Sequence, residues 1–217
     1  MVILAAVLVL WSVPIRGAHA EHVHLSTLVG VAGAGDTAYE YAAQGAQTDT
    51  GAQTLGILTN LAGLPQAPFA GSSTSEATAL FTVVSKVTVY QRLINANMRV
   101  VNYSGEERIY FHDPSTISAT NPITYTNPLG FAQGKLVARM AERGQDLLTV
   151  LAPNRGVING NAVTQQIEAD SFTLEGQTYQ FGRIGARNRL VYTGFGQRLS
   201  IKPIHDEVVF AGYSATM

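Results

Sequence analysis

The chain of 217 residues contains no cysteine. Disulfide scaffolds, thiolate metal sites and thiol enzymes are therefore excluded, and the fold must rest on its core and its hydrogen bonds. An excess of charge of either sign is also missing: 14 Lys and Arg balance 15 Asp and Glu, for a formal net charge of −1, which gives nucleic acid or an anionic membrane surface no electrostatic hold. From Glu21 to Ser75 there is no lysine or arginine, and the charged side chains are Glu21, Asp36, Glu40 and Asp49. Catalytic signatures are missing as well. No G-x-S-x-G elbow occurs, and the run Gly30-Val31-Ala32-Gly33-Ala34-Gly35 lacks both the Lys-Ser/Thr of a phosphate loop and the G-x-G-x-x-G spacing.

One long apolar run is present, Val2 to Ile15, followed by Arg16-Gly17 and Ala18-His19-Ala20. Its 14 residues fall short of the roughly 20 that a membrane-spanning helix needs. The small-residue ending is that of a cleavage site, so residues 1–20 are expected to be an export signal, although no basic residue precedes the run. This predicts a secreted, periplasmic or extracellular protein with no transmembrane segment after cleavage. Cleavage after Ala20 would put His22 and His24 beside a free amine, a weak donor set for copper; otherwise no cofactor is expected.

Residues 21–75 are rich in Ala, Gly, Thr and Gln. Small side chains bury little area against the entropy of ordering the backbone, so this stretch is expected to be a partly mobile arm. Two clusters in it could dock on the following domain, Tyr39-Glu40-Tyr41 and Leu55 to Leu58 with Leu61 and Leu64.

Residues 76–217 read as one antiparallel β domain. Along Phe81 to Leu93 the odd positions Phe81, Val83, Val87, Val89 and Leu93 are apolar, whereas Thr82, Lys86, Thr88 and Arg92 lie between them. A period of two marks a half-buried strand. Glycine-bearing turns are expected at Ser104 to Glu107, Glu142 to Gln145, Asn159 to Asn161 and Glu175 to Gln177. Lys135 to Glu142 is read as strand in preference to helix. The whole predicts an all-β fold, an antiparallel barrel of calycin or dirigent-like size or a sandwich, with roughly 8–11 short strands. Asp113 to Leu129, with Pro114, Pro122 and Pro128, is expected to be a long loop over one end.

The segment Ile109-Tyr110-Phe111-His112-Asp113 and the later strand after Gly134 are similar to parts of small secreted dirigent and allene oxide cyclase-like barrels. The glycine-threonine-glycine segment of such proteins is absent near the end of this chain. The resemblance implies control or cyclisation of a hydrophobic intermediate inside a barrel, and no residue here maps onto that role.

Candidate chemistry is sparse. His112 with Asp113, and His205 with Asp206, are strand-end acid-base candidates, although neighbours in a strand point to opposite faces. Arg183, Arg187, Arg189 and Arg198 could meet an anionic ligand, or pair with Glu168, Asp170 and Glu175. Asn102-Tyr103-Ser104 matches a glycosylation sequon. Two functional classes follow. One is a secreted non-catalytic β protein that binds a small hydrophobic or anionic ligand or self-associates through its arm and sheet edges. The other is a small isomerase- or cyclase-like barrel enzyme.

Overall fold

A computed structural model of the chain describes residues 38–117, 122–201 and 204–217. Ten strands occur in it: β1 (Tyr39–Thr48), β2 (Gly51–Leu61), β3 (Phe81–Asn95), β4 (Met98–Phe111), β5 (Lys135–Ala152), β6 (Arg155–Ala169), β7 (Ser171–Leu174), β8 (Gln177–Gln180), β9 (Arg187–Ile201) and β10 (Ile204–Thr216). Eight of them form a closed barrel in the order β1-β10-β9-β6-β5-β4-β3-β2, and β7-β8 is a separate hairpin. Every neighbouring pair is antiparallel, so the barrel is an up-and-down meander closed where β1 meets β10. The sandwich alternative is thereby eliminated. Among the described residues no helix is long and apolar enough to cross a membrane.

The expected arm is corrected over its second half. Residues 39–61 supply β1 and β2, and without them the barrel would not close. The physical reason is the phase of the small residues. Tyr39, Tyr41 and Ala43 alternate with Glu40, Ala42 and Gln44. The tyrosines project inward, and the small positions let adjacent strands approach. Tyr39 and Tyr41 are 2 % and 4 % exposed, so burying these aromatic rings offsets the ordering cost of their small neighbours.

Three expected turns are also corrected. Gly105, Gly144 and Gly160 lie within β4, β5 and β6, so fewer and longer strands replace the expected short ones. Each glycine faces inward, opposite or beside a large side chain. Across the register Tyr103 meets Gly144 and Glu142 meets Gly105, while Tyr192 meets Gly160 on one side and Gly212 on the other. A Cβ at Gly144 or Gly160 would overlap the Tyr103 or Tyr192 ring. These glycines are spaces for side chains. The turn at Glu175-Gly176 does form, with φ of 50° and 77°, and it joins β7 to β8.

The two ends of the barrel differ. Two-residue links at 49–50, 96–97 and 153–154 make tight hairpins at one end, with Ala96 and Asn154 at positive φ as short hairpin loops require. Long connections occupy the other end. There the β7-β8 hairpin brings Phe172 to 4.8 Å from Phe111 and 5.1 Å from Phe81, centroid to centroid. Gln166 Nε2 fastens it by donating to the Phe181 carbonyl at 2.6 Å. The β4-β5 connection contributes Ile123 and Phe131 to a second apolar cluster with Ile57, Phe69, Ala79 and Val84. This part of the expected end-loop therefore packs largely against the outer side of β2 and β3.

A bulge shifts the register between Val89 and Gln91. It reverses the phase expected for the end of β3: Leu93 is half exposed, and Arg92 is paired with the inward Val101.

Candidate functional site

Alternate residues of a strand share a face, and on the inner face of β4 and β5 that rule groups polar residues. Tyr103, Gly105 and Glu107 follow one another on β4; Glu142, Gly144 and Asp146 do so on β5. Tyr103, Glu107, Glu142 and Asp146, together with Tyr41 of β1, Ser85 of β3 and Tyr192 of β9, line an interior chamber of about 70 Å³. The volume suits about two water-sized groups.

The chamber is a hydrogen-bonded set of acids and hydroxyls. Tyr39 Oη donates to Glu107 Oε1 at 2.5 Å, and Ser85 Oγ donates to Glu142 Oε2 at 2.8 Å. Tyr103 Oη and Tyr192 Oη are 2.9 Å apart, and Tyr192 Oη donates to Asp146 Oδ1. Tyr103 therefore donates to Tyr192, which donates to the carboxylate, a two-step hydrogen-bond chain ending at Asp146. Tyr41 Oη is buried and has no hydrogen-bond partner among the described residues. Its ring lines the chamber.

No lysine, arginine or histidine lines this chamber among the described residues. Carboxyl groups out of water and without a cation hold their protons. Burial first, and then the neighbouring Glu142 charge, pushes Glu107 up to about 8 against the opposing Tyr39 hydrogen bond. Burial raises Glu142 too, with the Ser85 and Tyr103 hydroxyls opposing. Asp146 is pushed up to about 7, chiefly by burial, while the Tyr192 hydrogen bond opposes and the Glu142 charge adds. Burial also lifts Tyr39, Tyr41, Tyr103 and Tyr192 above the usual phenol range. Near neutral pH the chamber thus contains a protonated acid and another acid poised to lose its proton. That is the equipment of general acid-base chemistry.

The residues singled out by sequence lie elsewhere. His112 follows β4 at the plugged end, buried, with Nε2 at 2.9 Å from Thr82 Oγ1. Thr82 Oγ1 donates to the Phe131 carbonyl at 2.6 Å, so the imidazole is the donor in its bond to Thr82. Burial holds it down to about 4, and its role is to tie β3, β4 and the loop together. Asp113 is exposed and accepts from the Ser115 N–H at 2.8 Å and hydroxyl at 2.6 Å, closing a turn. His205 and Asp206 sit at the hairpin end, where His205 pairs with Thr48 in the register. His205 is exposed, 4.0 Å from Glu207. Asp206 points inward and takes a two-point contact from Arg198 at 2.7 and 2.8 Å. The two His-Asp spots are at opposite ends of the barrel. No group of three or more His, Asp or Glu side chains that could hold a metal occurs among the described residues.

Arg183 is exposed in the β8-β9 connection, and Arg187 and Arg189 are exposed on the outer face of β9; Arg198 alone turns inward. Glu168, expected to serve one of these arginines, accepts from Arg139 at 3.0 Å. The Asn102 side chain is engaged on both sides, donating to Gln91 and accepting from Gln145. His22 and His24 lie outside the described residues, as do the expected signal and the first part of the arm.

Sequence reading missed Tyr39, Tyr41, Tyr103, Glu107, Glu142, Asp146 and Tyr192. A signal for them exists: Tyr-x-Gly-x-Glu at 103–107 and Glu-x-Gly-x-Asp at 142–146 place polar groups at period two around a glycine. No protein-family model matches the chain, and no curated protein matches it.

Proposed function

We propose that the barrel is a small-molecule protein whose interior acids move protons on a compact, largely apolar substrate, as an isomerase or cyclase does. One observation carries this reading: Glu107, Glu142 and Asp146 converge on one chamber without a cation to neutralise them. A barrel stabilised only for its own sake would be better served by apolar residues there. In the proposed chemistry Glu107 gives a proton to one substrate atom and Asp146 removes one from another. Tyr192 and Tyr103 orient the Asp146 carboxylate, and Tyr41 donates to a substrate oxygen or nitrogen. The apparent export signal supports placing this chemistry outside the cytoplasm.

The test is proton NMR of a panel of small ketones and enones in D2O, with wild-type protein, E107Q and D146N. Wild-type protein should accelerate exchange or isomerisation of at least one compound, and both variants should lose at least tenfold. If no compound is accelerated while some still raise the unfolding temperature, the proton-transfer reading fails and a non-catalytic binding barrel remains.

Self-association is a second reading with its own observation. Phe195 and Val209 are 72 % and 59 % exposed and lie side by side on β9 and β10, with Val157 on the other flank of Phe195. The closed barrel leaves none of its eight strands as a free edge, so association would use this outer face instead. Light scattering on wild-type protein and F195D would show a loss of mass for the variant; equal monomer masses would dismiss it.

A further inference from the structure

Above the acid chamber, at the hairpin end, lies a vestibule of about 260 Å³ that shares Asp146, Ile158 and Val208 with the chamber walls. Its sides are apolar, with Val101, Leu148, Val150 and Ile204 among the lining residues. Its rim is basic: Arg92, Arg99, Arg155 and Arg198 all line it.

These arginines reach one opening from three different strand pairs. The bulge beside Tyr90 turns Arg92 toward the mouth, where its guanidinium donates to the Thr48 carbonyl at 2.6 Å and to that of Asp49. Arg99 is held in the same way by the Ala96 and Met98 carbonyls at 2.9 and 3.1 Å. Neutral carbonyls fix these two guanidinium groups without cancelling their charge, and a guanidinium has five donors, so donors remain for a ligand. Arg155 begins β6 and is exposed. Of the acids lining the vestibule, Asp206 is taken by Arg198, and Asp146 is at the inner end beneath Tyr192. The rim is thus net positive over an apolar throat.

We infer that the vestibule takes an amphipathic anion, with its carboxylate, sulfate or phosphate at the arginine rim and its apolar body in the throat. The volume accommodates roughly nine water-sized atoms, which sets the body at medium length. Its inner end would then lie against Asp146 and Tyr192, at the entrance to the acid chamber. This inference names the substrate class for the proposed function and rests on that reading for its chemistry, but binding can be tested without turnover.

The probes are octanoate, octyl phosphate, 1-octanol and octylammonium, titrated calorimetrically at pH 7 below their aggregation concentrations. At least one of the two anions should bind at least tenfold more tightly than 1-octanol and octylammonium, and the advantage should shrink as salt is raised from about 50 to about 300 mM, because exposed charge pairs are screened over this range. Which anion binds more tightly distinguishes a carboxylate from a phosphate ligand. R155A should cost that anion three- to tenfold and leave 1-octanol within twofold. R155E should cost it more, and circular dichroism should report an unchanged fold for both. Equal affinity for anion and alcohol, a preference for octylammonium, no binding by any probe, or R155A and R155E leaving the preference intact would overturn the inference. E107Q should leave anion affinity within twofold, so loss of proton transfer with retained anion binding separates failure of the proposed function from failure of this one.

Discussion

Replacing Glu107 by glutamine should make the protein more stable at alkaline pH while changing little in acid. Glu107 is 4 % exposed, and burial together with the Glu142 charge moves its carboxyl from 4.5 to about 8. Between those two values the folded chain retains a proton that the unfolded chain has released. Stability from this group is complete below 4.5 and declines by about 1.4 kcal/mol per pH unit until the carboxyl ionises in the fold near 8. The full decline is on the order of 5 kcal/mol, a large part of the roughly 5–15 kcal/mol typical of a folded domain. Three other groups tilt the wild-type curve, and Glu142, raised by burial, adds a decline of the same sign. Asp146, raised to about 7, adds a decline of the same sign that ends near that pH. His112, lowered to about 4, adds an opposing rise between there and its ordinary 6.5. The difference between E107Q and wild type removes the Asp146 and His112 contributions, while Glu142 loses a like-charged neighbour in the variant, which adds to its alkaline advantage. Glutamine keeps an oxygen to accept the Tyr39 hydroxyl and cannot ionise. Urea unfolding followed by circular dichroism at half-unit steps from pH 4.5 to 9 should show the two proteins within about 1 kcal/mol at the acid end. E107Q should lead by about 3–5 kcal/mol at the alkaline end. A difference that does not grow with pH would refute the argument that a proton on Glu107 stabilises the fold.

Three further outcomes are expected. G160A should lower stability by about 1–3 kcal/mol or more, because the new Cβ overlaps the Tyr192 ring; an unchanged urea midpoint would mean that the ring does not occupy the glycine's face. F172A should cost about 3–5 kcal/mol, since Phe172 packs against Phe81, Phe111 and Tyr179 at the plugged end; a loss under 1 kcal/mol in the same titration would remove the plug from the account. Carbon-13 NMR of the His112 ring should show it neutral down to about pH 4, and a titration midpoint near 6.5 would show that the ring is wet and the Thr82 contact is not maintained.

The antiparallel all-β class, though not the choice of barrel over sandwich, was legible in the chain because period-two patterning survives in strands such as Phe81 to Val89, and because no segment after residue 76 offers a helical face. The site was not legible, because a closed barrel inverts the usual sense of the pattern. On β6 the inward residues are Gly156, Ile158, Gly160, Ala162, Thr164 and Gln166, whereas Val163 and Ile167 face out. Small and polar residues thus occupy the interior where large tyrosines from neighbouring strands fill the space. Asn159-Gly160-Asn161 looks like a hairpin because asparagine and glycine tolerate positive φ; here Gly160 is required for the room it leaves to Tyr192. The same small-residue composition made Tyr39 to Leu61 resemble an arm. Which strand supplies the side chain opposite each glycine depends on register between distant segments, and a single chain pattern does not contain that information.

Topology also sets where each acid sits along the barrel axis. An even number of up-and-down strands sends the short hairpins 49–50, 96–97 and 153–154 to one end, and the connections 62–80, 112–134 and 170–186 to the other. Two-residue turns are too short to cover a mouth, so the proposed ligand would enter from that end, past Arg155 and Arg198. The register then orders the interior by depth: Asp146 is level with Val101, Glu142 with Gly105, and Glu107 with Met140, before the aromatic plug at Phe111 and Phe172. Asp146, nearest the mouth, is held at about 7 and the deeper Glu107 at about 8. Burial is the largest cause of both rises, which start from 3.8 for the aspartate and 4.5 for the glutamate. It follows that the plug helps keep water from Glu107 as well as filling the core. Water admitted through a loosened far end in F172A should lower the Glu107 proton affinity toward 4.5 while the barrel is still folded, and a carboxyl titration that stays near 8 in that variant would separate the two roles.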